Sequence, residues 1–422
     1  MVNANTTYAD LGITSTLLDR LSLAVWAAWD KMLYDYRARR VSFKKHGELN
    51  IFGSRKKTNG SGKKMFSGME LHLEKMEVSI KLNGKVGKKA KFITLPILHN
   101  PKHADYEMWA LKGGFDSVKV ITVVRRLVRG QYKYYLQMSI EGEKPQKGRT
   151  LGKGNVGIDI GPTTVAVSGE NIASIDKLAS KCDNIQEEIT RLARKIDRSR
   201  RANNPENFNE DGTVKRGVRL VWKDSKRYKE LRKEMAELQR RQAAIRKQQH
   251  IDRANALLKE GDTFIVENNP IKGWAARKKE TKIDEKTGKY KSKKGRGKSI
   301  KNHAPAMFVT ILENKVKSLG GKVERVDTQN GASRFDFTDG SFTDHGYDRK
   351  VTLSNGDTHQ RDMLAAFNLQ HLKYDEAEKK QYDTKAMAQH YDRFCELEQE
   401  EIQRYKNKEK KDDRSTIGAG EL

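Results

Sequence analysis

The hydrophobic period changes near residue 150, and that change limits the architectures open to this chain more than any other feature. Before it, Met76, Val78, Ile80 and Leu82 recur at every second position, the spacing that turns one face of a strand toward a core. Segments 92–96, 117–124 and 132–140 share this strand-forming composition, with Asn83-Gly84 and Arg129-Gly130 as turn signals. Four or more strands with short connections predict a small antiparallel barrel. After a polar linker at 144–153, a short apolar strand at 156–160 with a hairpin partner at 163–167 is followed by strands at 263–266 and 322–326, with long helical stretches between them. Helices are expected at 182–201, 223–260, 305–319 and 361–373. Strands alternating with helices this long belong to an α/β domain. The fold class is therefore α+β and multidomain, an antiparallel barrel followed by an α/β domain.

The flanking segments are more polar. Leu17, Leu21, Val25, Trp29, Leu33 and Tyr36 predict a helix over 13–40, with Trp26 and Trp29 as helix-packing residues. Residues 41–68 read as a basic loop suited to phosphate contact, with Lys56-Lys57 and Lys63-Lys64 flanking Asn59-Gly60. Residues 271–303 carry thirteen Lys or Arg against three acids and four glycines, which reads as a mobile basic loop. The segment after 373 is charged and helical in propensity, as a partner helix or a solvated arm, fading to disorder near 415–422.

The whole chain holds 84 Lys and Arg against 56 Asp and Glu, a net charge of +28. Self-repulsion of that size does nothing for the fold, whereas a polyanion releases counterions when it binds such a surface. Nucleic acid is the expected partner. The two cysteines, Cys182 and Cys395, are far apart in charged helical stretches, so neither a disulfide framework nor a CxxC zinc site can be built. No apolar run of about 18 residues and no signal pattern occur. A cytoplasmic, nucleoid-associated protein without membrane contact is expected.

Three carboxylates stand in costly places. Asp159 interrupts the strand Val156-Gly-Ile-Asp-Ile160, Glu267 closes the strand of 263–266, and Asp362 opens the helix of 361–373. An acid among apolar neighbours is expensive without a partner, and strand ends are where α/β sheets hold ligands. Singly, Asp362 reads as a helix cap, Glu267 as a lysine partner and Asp159 as a turn residue. Their order along strand, strand and helix makes a joint site.

Gly157-Ile-Asp159-Ile-Gly161, Val266-Glu267-Asn268 and Gln360-Arg361-Asp362-Met-Leu-Ala-Ala-Phe-Asn368-Leu resemble the three RuvC motifs of the TnpB family. These are transposon-encoded RNA-guided nucleases related to type V CRISPR effectors. The resemblance covers about residues 70–373. It implies a wedge-type β-barrel with a helical insertion, followed by a RuvC, RNase H-like domain. The boundaries it implies are 1–68 for a helical recognition segment and basic loop, 69–150 for the barrel and 151–327 for the nuclease domain. An insertion at 328–359, the final nuclease helix at 360–373 and a charged tail at 374–422 complete the chain. Two departures stand out. The family's last motif has Asp and Asn where this chain has Gln360 and Leu364, and the usual zinc ribbon of two CxxC pairs before it has no cysteine here. No zinc is expected, and Asp344, His345, Asp348, Asp357 and His359 read as polar loop residues. An aromatic and basic fold of Arg334, Phe335, Phe337, Phe342 and Tyr347 replaces the ribbon. The family also opens with a barrel strand ahead of its first helices, and this sequence starts almost at the helix.

The resemblance implies endonuclease activity on target DNA, with Asp159, Glu267 and Asp362 as catalytic residues and ligands of two Mg²⁺ or Mn²⁺ ions. Hard oxygen donors select such ions. Guide RNA and target DNA are the implied partners, with the protein a monomer or homodimer. Arg277, Lys278, Lys279, Lys293, Lys294, Arg296 and Arg361 are the expected nucleic-acid contacts. Basic residues of the long helices, such as Arg194 and Arg241, are further candidates for lining a heteroduplex groove. A compact type V CRISPR effector, an RNA-guided repressor without cleavage and a structure-specific resolvase are the other readings. All three carboxylates are present, which disfavours the repressor.

Overall fold

The structure, a computed structural model, describes residues 15–34, 50–58, 60–66, 68–86, 89–101, 104–143, 148–276, 280, 283, 295–346, 348–374 and 380–417. The chain divides into two compact units, 1–147 and 148–422.

In the first unit, helix α1 (Ser15–Tyr34) precedes a seven-stranded antiparallel sheet. The strands are β1 (Ile51–Thr58), β2 (Lys64–Phe66), β3 (Met69–His72), β4 (Glu77–Val86), β5 (Lys89–Pro96), β6 (Val118–Val128) and β7 (Gln131–Ile140). Their spatial order is β5-β4-β3-β2-β1-β6-β7. Alternation places Met69, Leu71, Val78 and Ile121 in one core with Phe66 and Val118. Helix α2 (Ala104–Lys112) lies between β5 and β6 in sequence.

Four expectations are corrected here. The sheet is open, because the terminal strands β5 and β7 do not pair with each other and a barrel requires that closure. Residues 41–68 are not simply a loop, since β1 and β2 lie within them. Their basic composition hides the strand because Lys56 lays its stem inward, its ammonium 4.3 Å from the Phe115 ring centre, with its head donating to the Asp116 carbonyl at 3.0 Å. Burial accordingly lowers the Lys56 pKa. Asn83-Gly84 is a register irregularity inside β4 and not its turn, because Lys85 and Val86 still pair with β5. Finally, Trp26 and Trp29 are 73% and 48% exposed, so the helix α1 leaves them uncovered among the described residues.

The second unit is a five-stranded mixed sheet in the order β10-β9-β8-β11-β12. Strands β8 (Asn155–Ile160), β9 (Thr164–Gly169) and β10 (Ile172–Lys177) form an antiparallel meander. Strands β11 (Thr263–Glu267) and β12 (Lys322–Val326) run parallel to β8. Helices α3 (Cys182–Ala202) and α4 (Lys226–Leu257) form a hairpin between β10 and β11. It is zipped by Ile185, Ile189, Leu192 and Ile196 against Leu231 and Met235, the 3.6-residue stripe of a charged helix that must bury one face. Helix α5 (Ile271–Ala275) and helix α6 (Gly297–His303) end the segment read as a loop, and α7 (Pro305–Ser318) follows. One sheet face, with Ile158, Ile160, Phe264 and Val266, packs on Leu257 of α4 and on Phe308 and Leu312 of α7.

The opposite face carries α8 (Arg361–Gln370), preceded by the hairpin of β13 (Lys350–Thr352) and β14 (Thr358–Gln360). Helix α8 lies so close to β8 that a Cβ on Gly157 would meet the Ala366 carbonyl oxygen at 1.9 Å. Glycine is therefore required there for helix–sheet approach. After the pair β15 (Leu372–Tyr374) and β16 (Lys380–Tyr382), α9 (Thr384–Ile417) docks Met387, Phe394 and Leu397 onto α8 residues Met363 and Phe367. This corrects the solvated-arm reading of the segment after 373, since the helix buries one face within the chain. Helix propensity was legible there, but the docking contacts depend on α8.

Candidate active site

The sheet and α8 bring the three carboxylates to one end of β8 and β11. Ile158 and Ile160 turn to one face, so Asp159 between them turns to the face covered by α8. Strand β11 pairs Val266 with Ile158, which sets Glu267 in the next register position, beside Asp159. Asp362 stands in the first turn of α8. Its role is not capping, because the Gln360 side chain does that, accepting the Met363 N–H at 2.6 Å. Thus Gln360, a departure from the family pattern, serves the helix start.

All three acids line a single cavity of about 470 Å³, together with Asn269, Trp274, Arg296, Ser333, Arg349 and Arg361. Among the described residues, no three His, Cys, Asp or Glu side chains form a ready-made metal-holding cluster. The carboxylates face one cavity without being drawn into contact, and cations from the protein partly occupy their surroundings. Arg349 Nη1 donates to Asp362 Oδ2 at 2.7 Å, and Arg361 donates to Oδ1 at 3.1 Å through Nη2.

The electrostatics differ among the acids. Burial, then the charges of Asp362 and Glu267, push Asp159 up to about 8, against the weaker pull of Arg361 and Arg349. Burial likewise pushes Glu267 up to about 7, although the Ala332 N–H and the Asn269 side chain donate to it. A carboxylate held this unfavourably is a place for a proton or a cation. Three hard-oxygen donors around one polar cavity suit Mg²⁺ or Mn²⁺ rather than a thiol-seeking metal.

Of the predicted nucleic-acid contacts, Arg296 and Arg361 line this cavity. Arg277, Lys278, Lys279, Lys293 and Lys294 lie outside the described residues. The ends of their segment are pinned together, because the Arg296 N–H donates to the Trp274 carbonyl at 3.1 Å and a Cβ on Gly295 would sit 2.3 Å from the Ala276 carbonyl oxygen.

The insertion at 328–359 supplies Ser333 and Arg349 to the cavity, two residues that sequence reasoning did not single out. Its aromatic residues pack. Phe335 stacks on Tyr382 at 4.1 Å and Phe337 meets Tyr391 at 4.9 Å, while Tyr347 lies outside the described residues. His359 is not a loop residue. It is 4% exposed, with Nδ1 2.6 Å from Glu398 Oε2 and Nε2 2.6 Å from the Tyr391 hydroxyl. The fully buried Asn368 donates to the carbonyls of Ala332 and Phe335 at 2.8 and 2.9 Å, so the motif's asparagine fastens the insertion to α8. Asn269 was also missed. It donates to the Ile160 carbonyl at 3.3 Å and bridges the two carboxylate-bearing strands; its position two residues beyond Glu267 was the available signal.

No protein-family model matches the chain, and no curated protein matches it. Among solved structures, a Cas12f1–sgRNA–target DNA complex determined by cryo-EM aligns over 83% of this chain and 68% of that chain, with 15% identity and a TM-score of 0.45. A CRISPR-Cas12f ternary complex aligns over 90% of this chain and 76% of that chain, with 14% identity and a TM-score of 0.32. Likeness this remote leaves the site to be read from the chain's own residues. No helix among the described residues is long and apolar enough to cross a membrane.

Proposed function

We propose that the chain is a metal-dependent endodeoxyribonuclease with a RuvC-type, RNase H-like catalytic unit, directed to target DNA by a guide RNA. The observation that carries the nuclease reading is the convergence of Asp159, Glu267 and Asp362 on one cavity that Arg296, Arg349 and Arg361 also line. Acids gather there for a cation, and arginines for a phosphate. The antiparallel meander continued by two parallel strands supports the RNase H-like assignment.

In this reading Asp159, Glu267 and Asp362 would hold two divalent ions, Mg²⁺ or Mn²⁺. Such ions, when bound, supply an activated water and neutralise charge at the attacking and leaving oxygens. The protein's own groups orient the site. Asn269 steadies the Glu267 carboxylate, and Arg361 sits against Asp362 from the same helix turn. Arg296 and Arg349 face the cavity where a phosphodiester would enter. The net charge of +28 supports a long nucleic-acid partner, and the three-motif resemblance supports RNA guidance. A TnpB-like, transposon-associated origin is proposed first and a compact type V CRISPR effector second, with the genomic neighbourhood as the observation that separates them.

Asp159→Ala tests the reading. Cleavage of DNA in Mg²⁺ should fall at least about a thousandfold, in line with loss of a ligand to the catalytic ions, while nucleic-acid binding stays within a few fold. Retained cleavage removes the catalytic assignment. A discrete RNA should co-purify with the protein; random fragments alone would remove the guide.

A further inference from the structure

The end of the β6–β7 hairpin gathers cations and tyrosines, a chemistry different from that of the carboxylate cavity. Residues 125–135 read Arg-Arg-Leu-Val-Arg-Gly-Gln-Tyr-Lys-Tyr-Tyr, four cations and three tyrosines with no acid. The turn at Arg129-Gly130 has φ of 51° and 78°, the paired left-handed conformation that matches strand twist. Pairing runs unbroken from Val128↔Gln131 back to Val120↔Ser139. The Cα pairing of β1 with β6 ends at Ile51↔Val124. Asn50 still accepts from the Arg125 N–H at 2.8 Å, and beyond it β6 and β7 pair only with each other among the described residues, as a two-stranded ribbon.

The core of the unit stops short of this ribbon. Leu136, Met138 and Ile140 pack against it, whereas Tyr132, Tyr134 and Tyr135 are 57%, 62% and 41% exposed. Tyrosine is a good strand former, but strand propensity alone does not collect cations around the rings. The Arg125 guanidinium lies 4.6 Å from the Tyr132 ring centre, and Arg126 lies 5.5 Å from that of Tyr135. Such contacts hold a ring in place while leaving its other face to a ligand.

Exposure of the rings points to the ligand class. Tyr132 and Tyr134 share one ribbon face with Arg125, which pairs with Tyr134. Each exposed ring can stack on one base of an opened strand, whereas the bases of a duplex already stack on one another. Arg125 beside them meets the phosphates, and aromatic rings tolerate any base.

We infer that Tyr132 and Tyr134, with Arg125 on the same ribbon face, form a stacking platform for unpaired nucleotides of a single-stranded nucleic acid. The inference does not rest on the nuclease reading, because it concerns binding in the absence of divalent metal.

Fluorescence anisotropy of the full chain in EDTA tests it, with labelled oligouridylate, oligothymidylate and a duplex of equal length. Y132A/Y134A should weaken both single strands by about thirtyfold or more, the loss of two stacked bases, and leave the duplex within twofold. Y132F/Y134F should bind as the parent does. R125Q should reduce the salt slope by about one. If the alanine variant does not fold, Y132L/Y134L replaces it, keeping bulk without a flat ring. Unchanged single-strand binding, or an equal loss on the duplex, overturns the platform. A concentration-dependent dimer that Y132A/Y134A abolishes overturns it as well, since the rings would then serve a second copy of the chain. If Asp159→Ala retains cleavage but the platform persists, only the nuclease reading falls.

Discussion

The two sides of the cavity solve the same electrostatic problem in opposite ways. On the sheet side, Asp159 and Glu267 stand at the ends of adjacent strands, where burial raises both pKa values to about 8 and about 7. On the helix side, Asp362 is 8% exposed, yet Arg349 and Arg361 both reach it. Strand ends offer neighbouring strands and few side chains that can swing in, so their acids keep their demand for a cation. The first helical turn, beside an inserted segment, admits arginines. Under the proposed function, cation affinity would be carried mainly by β8 and β11, and phosphate affinity by Arg296, α8 and the insertion.

The largest expected effect breaks the arrangement altogether. Gly157→Ala places a methyl where the Ala366 carbonyl and the Gln370 N–H already sit, at 1.9 and 2.4 Å. Helix α8 must move off β8, at a cost of about 3 kcal/mol or more. Thermal melting should drop by roughly 6–12 °C, and cleavage should be lost as Asp362 leaves the strand-borne acids. A melt unchanged from the parent would mean that α8 does not lie on β8.

The sheet-side acids predict a pH dependence. Their folded pKa values exceed the ordinary 3.8 and 4.5, so the folded chain binds protons more tightly than the unfolded one. Unfolding then releases protons, and the stability of the metal-free protein falls as pH rises from about 4 to about 8. Asp159→Asn should flatten that fall and raise the metal-free melting temperature at pH 8 by several degrees. Mg²⁺ should stabilise the parent at pH 8 far more than at pH 5, because protons compete for the same oxygens. Equal stabilisation at both values would sever the acids from the metal.

Smaller effects sharpen the helix side. Arg349→Gln should lower cleavage about tenfold, in line with loss of one charge-stabilising donor, with little change in melting. An unaltered rate would limit Arg349 to an ion pair. Gln360→Ala should cost about 1 kcal/mol by removing the cap of α8, read by denaturant unfolding, with cleavage reduced only modestly. A cost near zero would mean that the first turn of α8 is held by other contacts.

Sequence reading reached strands β8, β9, β11 and β12 and helices α3, α4, α7 and α8 to within a few residues, because long amphipathic stripes and short apolar runs are local patterns; it did not find β10, the short pairs β13–β16 or helices α5 and α6. It failed where a side chain's surroundings reverse its usual meaning. Lys56 looked like part of a phosphate-binding loop and is tucked beside Phe115. His359 looked like an ordinary loop residue and is buried against Glu398. Trp26 looked like packing and is exposed. Arg349 and Ser333 carried no signal, since the insertion has no local period that would aim them into the cavity.

What the sequence by itself determined is the set of acids and their order. Alternation within 156–160 already forces Asp159 to the face opposite Ile158 and Ile160, and the helix pattern of 361–370 already puts Asp362 in a first turn. Only tertiary structure decided that these acids share one cavity. Register between β8 and β11 sets Glu267 beside Asp159, and the missing side chain of Gly157 lets α8 lie close enough to bring Asp362 to them. Both depend on contacts between residues about a hundred or more positions apart, and no local pattern encodes such distances.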